Sequence, residues 1–334
     1  MDPTSSVAVP VVGMHRSGTS MVAQLLEAGG VGFGPEDALA GPDADNRHGF
    51  WEHRALREIN EQLLSRFGGD WRNPPRIPAG ALGDSEHDDL RERARALLHT
   101  LSGAAPSWGW KDPRTCLLLP FWLPLLPPDP RVVFCLRHPA DVAASLETRN
   151  RIPAELAGFL WQEYNACACA ALPKAHVLVL SYEAVLRDPQ AEALRCAEYL
   201  AQAGVELDVA AMVATVDRNL AHERGGQADF PGWWPGGKEL HELLSACASD
   251  NATWASVNSQ PPPRDLGFVA LMADASRMAE ALDFRENAYE DRVREERESR
   301  QARERAVAEL DNLHGRLEVR LGRILRRVFQ RPPG

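Results

Sequence analysis

Residues 11–20 read VVGMHRSGTS, and this stretch decides the fold of the chain. The apolar run at residues 7–12 predicts a buried strand, Gly13 and Gly18 bracket a turn, and residues 21–26 begin a helix. This order of elements is typical of a phosphate-binding cradle, because backbone N–H groups at a helix N-terminus attract an anion. We therefore expect the backbone N–H groups of residues 17–20, at the N-terminus of this helix, to face one phosphate-like anion.

The loop differs from nucleotide-binding loops at one position. The pattern G-x-x-x-x-G-K-[ST] places lysine where this chain has Thr19, and Arg16 carries the full positive charge of the loop. The strands predicted at 132–136 and 176–180 are followed by arginine and serine, not by an acidic residue that could hold Mg²⁺. The loop thus favours a ligand other than ATP or GTP, and a nucleotide kinase or other NTPase is the alternative.

Composition limits the class of protein. The chain has 334 residues, 44% of them hydrophobic, and a formal net charge of -10, which argues against a nucleic-acid binder driven by bulk charge. The N-terminus lacks the pattern of a secretory signal, and the longest apolar run, residues 116–128, is too short and too rich in proline to span a bilayer. The six cysteines lack metal-ligand spacing. We expect a cytoplasmic enzyme without a metal.

Short apolar segments alternate with helical patterns, which predicts an α/β fold with a parallel sheet flanked by helices. The main domain is expected over residues 1–265, and its last part, 226–265, is rich in glycine and proline and is interpreted as a loop or lid. A charged helical tail follows over 266–334, with heptad spacing of apolar residues at 307–328. This coiled-coil-like tail could self-associate, pack on its own domain, or lay its basic flank on an anionic membrane surface.

A second group of polar residues follows the strand predicted at 132–136. Arg137 stands at the carboxyl end of this strand, Pro139 opens a helix, and Ser145 lies two turns into that helix. Ligands of open α/β sheets bind at the carboxyl ends of the strands. Arg137 and Ser145 could therefore converge on a second phosphate, although a salt bridge would also explain Arg137.

The loop and this second group together resemble the sulfotransferases that use 3′-phosphoadenosine 5′-phosphosulfate. The resemblance covers roughly residues 8–200, and it is closest to bacterial sulfotransferases of carbohydrates or lipids and to tyrosylprotein sulfotransferases. It implies that the phosphosulfate of this co-substrate contacts the loop and that its 3′-phosphate contacts Arg137 and Ser145. The loop residues concerned are His15, Arg16, Ser17, Gly18, Thr19 and Ser20.

The resemblance also assigns a role to the segment at 108–114, WGWKDPR. In the related enzymes a Lys-Asp-Pro segment lies beside the transferred group. Lys111 would then stabilise charge on the sulfonate or on the bridging oxygen, together with Arg16. The alternative is an ordinary surface turn, since Asp-Pro is a common turn signal.

A general base is needed because the acceptor hydroxyl loses its proton as it attacks sulfur, and the resemblance points to a glutamate. Glu52 is preferred over Glu36, because the neighbouring Phe50 and Trp51 could remove water from its carboxyl group and raise its pKa towards neutrality. Glu52 could also simply lie in the first turn of a helix. The histidines held in reserve are His48 and His53.

The expected partner is a hydroxyl-bearing acceptor such as a carbohydrate, a glycolipid or another small metabolite. Four tryptophans could line a sugar-binding cleft or lie in the core: Trp51, Trp71, Trp108 and Trp110. Tyr182 is interpreted as structural support for the site. Residues 224–226 or 236–238 could close over the adenosine, although neither matches the family closely. A non-catalytic binding module is the remaining alternative.

Overall fold

The computed structural model describes residues 6–40, 51–172, 176–217, 237–249 and 254, together with 299–301, 303 and 305 in the tail. The segment predicted as a loop or lid, 226–265, contains a helix at Gly237–Ser249, so the prediction is wrong for these residues, because Leu240, Leu244 and Cys247 recur at helical spacing and are buried. Except for Trp254, the rest of that segment lies outside the described residues, as do His48, Phe50 and the heptads at 307–328. The chain divides into two units, Met1–Ala273 and Asp274–Gly334. The domain boundary predicted near residue 265 also falls in a stretch that is not described, so it stays a prediction.

The described strands pair in parallel, as the alternating pattern predicted. Strand β1 pairs with β3, and strand β4 lies between β2 and β5. The strands are β1 (Val7–Ala8), β2 (Val11–Val12), β3 (Ser107–Trp108), β4 (Val132–Leu136) and β5 (Val177–Ser181).

The strand predicted at 7–12 is divided into two short strands. Pro10 has no N–H to donate, so it interrupts the ladder between them. Hydrogen bonds continue on both sides of the break: the Val9 N–H donates to the Trp108 carbonyl at 2.7 Å, and the Val133 N–H donates to the Pro10 carbonyl at 3.0 Å. This segment therefore lies between β3 and β4 along its whole length and leads into the loop.

Helices follow the strands, and the one after β4 begins at Pro139, as predicted. The helix after the loop begins at Thr19, two residues before the predicted start. None of the helices in the described part of the chain is long and apolar enough to cross a membrane. The helices are α1 (Thr19–Ala28), α2 (Arg54–Arg66), α3 (Asp88–Ala104), α4 (Thr115–Trp122), α5 (Pro139–Asn150), α6 (Ala154–Ala171), α7 (Tyr182–Arg187), α8 (Pro189–Ala201), α9 (Val209–Ala214) and α10 (Gly237–Ser249).

The sheet is covered on both faces, because successive side chains of β4 enter two different hydrophobic clusters. Phe134 belongs to a large cluster with α3, α4 and α6, whereas Val133 and Cys135 belong to a cluster with α1 and α8. This alternation follows from the two-residue repeat of a strand. Burial of both faces leaves the carboxyl ends of β2, β4 and β5 as an open edge, where the loop and Arg137 lie.

Candidate active site

The loop after β2 has a shape that requires glycine at both bracketing positions. Gly13 and Gly18 have φ of +150° and +83°. A Cβ atom on Gly13 would lie 2.6 Å from the Cys135 carbonyl oxygen, and one on Gly18 would lie 2.5 Å from the ring of Tyr182. Larger residues would therefore meet steric overlap as well as backbone strain at these positions.

The loop ends directly at the N-terminus of α1, where Gly18 is the capping residue and no side chain caps the helix. The sequence predicted that the N–H groups of residues 17–20 all face one anion. For Ser17 this is wrong, since its N–H donates to the Met14 carbonyl at 3.1 Å and closes the turn. Its hydroxyl, however, is buried and makes no hydrogen bond within the described structure. An orphaned hydroxyl beside an uncapped helix N-terminus fits an anionic ligand.

Arg16 joins the two groups of residues that the sequence treated as separate. Its backbone is in the left-handed region, with φ of +68°. The Arg16 Nε donates to the Ser145 hydroxyl at 2.9 Å, and the Arg137 Nη1 donates to the Arg16 carbonyl at 3.1 Å. The loop and the residues after β4 therefore form one continuous polar surface at the edge of the sheet.

The elements around Arg137 hold it in place. The Arg137 guanidinium carbon lies 4.4 Å from the centre of the Tyr182 ring, and its carbonyl accepts a hydrogen bond from the Trp161 Nε1 at 3.1 Å. The next residue donates its backbone N–H to the Glu183 carboxylate at 2.9 Å. Tyr182 thus contacts both Arg137 and the position of Gly18, in keeping with the supporting role predicted for it.

A cleft of about 220 Å³ opens beside the loop and brings together six of the predicted site residues. Glu36 is exposed in a short turn and does not belong to the described lining of this cleft. Four other predicted site residues do not belong to the described lining of the cleft. Ser17 and Gly18 are part of the loop, and Arg137 and Ser145 contact it through Arg16. The lining residues are His15, Arg16, Thr19, Ser20, Glu52, Arg57, Trp71, Lys111, Pro113, Arg114, Arg149 and Asn150.

Lys111 and Glu52 form an ion pair at the centre of the cleft. The Lys111 Nζ donates to the Glu52 Oε1 at 2.9 Å, and the two residues are 2% and 8% exposed. Asp112 is buried as well and accepts a hydrogen bond from Arg114 Nη1 at 3.0 Å. The alternative of a surface turn at Lys111 is therefore wrong, because buried charges of this kind need partners.

The pKa of Glu52 moves in the opposite direction from the one predicted. Burial of the carboxyl group raises its pKa, as expected, but Lys111, Arg114 and, to a smaller extent, Arg57 together outweigh burial and hold the pKa below its usual value. The Arg114 Nη1 lies 3.7 Å from the second carboxylate oxygen. Glu52 is therefore an ionised carboxylate at neutral pH. The sequence prediction was wrong in direction because it considered the neighbouring aromatic residues and not the distant cations.

His15 is an uncharged member of the same cleft. Its ring lies 4.5 Å from the Trp71 ring, and its Nε2 is buried without a hydrogen bond in the described structure. Burial and the positive charges of Arg114, Lys111, Arg16 and Arg149, in this order, hold its pKa well below the usual value. Burial is the larger cause and the cations add to it, so the ring is uncharged at neutral pH.

The comparison with known families agrees with this geometry. A family profile described as "Sulfotransferase family" matches residues 9–206, which is more than half of the chain. The chain belongs to the sulfotransferase family. Searched against curated proteins, it has no match.

Solved structures that are similar to this chain at low identity include three sulfotransferases. The sulfotransferase domain from the olefin synthase of Synechococcus PCC 7002 is 16% identical, with a TM-score of 0.41 over 81% of this chain and 94% of that one. Sulfotransferase STF9 from Mycobacterium avium is 16% identical, with a TM-score of 0.39 over 78% of each chain. The sulfotransferase domain from the curacin biosynthetic pathway is 15% identical, with a TM-score of 0.40 over 81% of this chain and 96% of that one.

Sequence reasoning missed three arginines that line the cleft of this sulfotransferase. Arg57 lies in the first turn of α2, five residues after Glu52, and Arg149 follows Ser145 by one turn of α5. Residues four apart on a helix share a face, so Arg149 could have been found from Ser145. Arg114 stands within the WGWKDPR segment itself. Asn150 completes the rim beside Arg149.

The four tryptophans have different surroundings. Trp108 and Trp110 are both 1% exposed and stack in the core, so they do not line the cleft. Trp51 packs edge-on against Phe33. Trp71 does line the cleft, with the Arg72 guanidinium 4.9 Å from the centre of its ring. The predicted aromatic cleft is therefore reduced to one tryptophan, because the others complete the apolar core.

Proposed function

We propose that this sulfotransferase moves a sulfuryl group from 3′-phosphoadenosine 5′-phosphosulfate to a hydroxyl of a carbohydrate, glycolipid or other small metabolite. The proposal rests on one observation, which is that the loop residues and a buried ion pair line the same cleft. Arg16, Thr19 and Ser20 of the loop line the same cavity as the buried Lys111–Glu52 pair. Such a cavity holds cations for the transferred group next to a carboxylate for the acceptor proton.

The residues at the sheet edge fit the proposed donor. The uncapped N-terminus of α1 and the orphaned Ser17 hydroxyl suit the phosphosulfate, and Arg137 with Ser145 suits the 3′-phosphate. When bound, the donor supplies the sulfuryl group, whose sulfur bonds to the acceptor oxygen as its bond to the 5′-phosphate oxygen breaks. Arg16 and Lys111 supply positive charge at that point, so catalysis is mainly positioning and charge stabilisation.

Glu52 is the proposed general base. It is the carboxylate that lines the cleft among the described residues, and its lowered pKa keeps it ionised and ready to accept a proton at neutral pH. A base with a low pKa takes a proton less readily than one near 7, so its effect depends on its position beside the acceptor hydroxyl. Glu36 is the alternative base, and its exposed position outside the cleft weighs against it.

Thermal unfolding tests the donor. We expect 3′-phosphoadenosine 5′-phosphate, the desulfated product, to raise the melting temperature, with about 2.7 kcal/mol of stabilisation at a hundredfold excess over its dissociation constant. ATP with Mg²⁺ should have a much smaller effect, since the loop lacks the lysine of NTPases. Stabilisation by ATP with Mg²⁺ and not by the bisphosphate would reject this donor.

Transfer of labelled sulfate from the donor to a panel of hydroxyl acceptors tests the reaction. Glu52→Gln should lower kcat by roughly 10²- to 10⁴-fold, the usual contribution of a general base, and keep its affinity for the bisphosphate. Glu36→Gln is the matched control and should keep full activity. Undiminished activity in Glu52→Gln would show that another group takes the proton.

The tail supports a separate and simpler proposal from its sequence pattern. We propose that the heptads at 307–328 mediate self-association, and contact of their basic flank with an anionic membrane surface is the alternative. The predicted cytoplasmic location likewise stays a prediction.

A further inference from the structure

Arg57 is a cation of the cleft to which the proposed donor assigns no role, and its charge makes only the last of the contributions that lower the pKa of Glu52. It lies on α2 and lines the same cleft as Arg16 of the loop, and its side chain is 42% exposed. Its Nε is buried and makes no hydrogen bond within the described structure. A guanidinium group that lines a reaction cleft without a hydrogen-bonded acceptor is well suited to an oxyanion, which it can bind through two parallel N–H groups.

The carboxylate nearest to Arg57 is shared with another arginine. Glu61 Oε1 lies 3.6 Å from the Arg57 Nε and 3.1 Å from the Arg114 Nη2, so the shorter contact belongs to Arg114. The side chains of Arg57 and Glu61 are both almost half exposed, and ion pairs of this kind contribute little because water and salt screen them. Glu61 therefore leaves most of the binding capacity of Arg57 available.

Two other acids, one in the cleft and one beside it, form their shortest ion pairs with cations other than Arg57. Asp112 accepts hydrogen bonds from Arg114, and Glu52 accepts one from Lys111. Five cations and one carboxylate line the described cleft, although the whole chain has a net charge of -10. A positively charged cleft in an acidic protein concentrates anions near the reacting groups. The lowered pKa of His15, for which four of these cations are partly responsible, supports this positive potential.

We propose that Arg57 selects acceptors that carry an oxyanion, such as a carboxylate or a phosphate or sulfate monoester, close to the reacting hydroxyl. This inference rests on the proposed sulfuryl transfer. Arg57 follows Glu52 by five residues and lies in the first turn of the helix that Glu52 precedes, and both residues line the cleft. An acceptor anion on Arg57 therefore places a neighbouring hydroxyl near the Glu52 carboxylate, and one contact both selects the acceptor and orients it.

Matched acceptors test the charge requirement. Glucuronate and glucuronamide differ in one charge on the same sugar, and 3-hydroxybutyrate and its amide form a second pair without a sugar ring. With labelled donor, we expect kcat/KM to be about 10- to 100-fold higher for the acid of at least one pair, as for a charge-assisted bidentate contact. Equal values in both pairs, a preference for the amides, or no transfer to either acid would overturn the inference.

Variants of α2 test the residue. Arg57→Gln should raise KM for the preferred acid about tenfold or more and leave the amide rates and the donor KM unchanged. Arg57→Lys should restore part of the preference. Arg54→Gln is the matched control on the same helix, since Arg54 donates to the Asp37 carbonyl and does not line the described cleft. Arg57→Gln with an unaltered acid preference would overturn the assignment.

A binding measurement separates this inference from the proposed function. Calorimetry with the bisphosphate-saturated protein gives the affinities for glucuronate and glucuronamide without any transfer of sulfate. Tighter binding of the acid, lost in Arg57→Gln, supports the inference, and equal affinities overturn it. Failure of the proposed function would instead appear as absent stabilisation by the bisphosphate together with absent transfer to every acceptor.

Discussion

Two cavities of this sulfotransferase have nearly the same volume, about 220 Å³ for the cleft and about 230 Å³ for a second cavity, the apolar groove. The same parts of the chain line both. The segment after α2 gives Trp71 to the cleft and Ile77 to the groove, and the region of α4 gives Arg114 to the cleft and Leu117 to the groove. The groove is lined by Pro75, Ile77, Pro78, Ala79, Gly80, Leu82, Leu117, Pro120, Cys167, Ala170 and Ala171.

The difference between them lies in charge and in its energetic cost. The cleft contains Lys111 and Glu52, which are 2% and 8% exposed, and removing such ions from water costs several kcal/mol before their mutual attraction is counted. The groove contains no charged side chain among its described lining residues. Volume alone therefore does not identify a reaction site, whereas buried charges from separate elements that converge on one cavity do.

The largest expected effect is on catalysis in the cleft. Lys111→Met should lower kcat by about 10²- to 10³-fold, because a donor to the developing charge is lost. It also removes the cation that contributes most to the low pKa of Glu52, so burial dominates and the pKa of Glu52 rises. Since the base must be ionised, activity should then be lost at a higher pH on the acid side of the kcat profile. Arg93→Met, at an exposed arginine of α3 that does not belong to the described lining of the cleft, is the control. An acid limb of the kcat profile that stays at the same pH in Lys111→Met would contradict this account of Glu52.

The next effect concerns the loop that borders the cleft. Gly18→Ala should weaken binding of the bisphosphate at least tenfold and lower stability, because the strained backbone costs about 1–3 kcal/mol and the new Cβ would overlap Tyr182. Gly80 has the same φ of +83° and no atom within 4 Å of an added Cβ, so Gly80→Ala isolates the backbone cost. Calorimetric titration of both variants gives the comparison. Equal losses of bisphosphate affinity would remove Tyr182 from the explanation.

A smaller effect should appear in the pH dependence of stability. The unfolded chain protonates His15 below about pH 6.5, whereas the folded cleft keeps it neutral to a much lower pH. The unfolded state then binds more protons, so stability falls as pH decreases, by up to about 1.4 kcal/mol per pH unit for one group. His15→Asn should flatten this slope, and His99→Asn, at an exposed histidine, should not. Urea unfolding at pH 7 and pH 5 measures how the stability of the parent and of each variant depends on pH. An equal dependence in the parent and in His15→Asn would contradict the lowered pKa of His15.

The smallest effect is expected in the groove. Ile77→Ala removes a partly buried apolar side chain and should cost about 1 kcal/mol of stability. Its kcat and its KM values for donor and acceptor should stay within about twofold of the parent, because no reacting group lies in the groove. A tenfold rise in acceptor KM would instead show that the groove holds an apolar part of the acceptor, and the contrast between the two cavities would then disappear.

The sequence by itself determined the features that depend on neighbouring residues. The order of strand, glycine-bracketed loop and helix follows from local apolar runs and turn chemistry, and so does the strand that ends at Arg137. These patterns were enough to predict the parallel sheet, the starts of α1 and α5 to within two residues, and six residues of the cleft. Even the break in the first strand has a local cause, the missing N–H of Pro10.

Only the tertiary structure decided how the site residues act on one another. Lys111 and Glu52 are 59 positions apart, and Arg16 and Ser145 are 129 apart, so no local pattern indicates these contacts. Electrostatic interactions act through space and depend on burial, which is why the direction predicted from the sequence for the pKa of Glu52 is wrong. For the same reason the role of Arg57 became visible only when the fold placed α2 beside the loop and left Glu61 shared between two arginines.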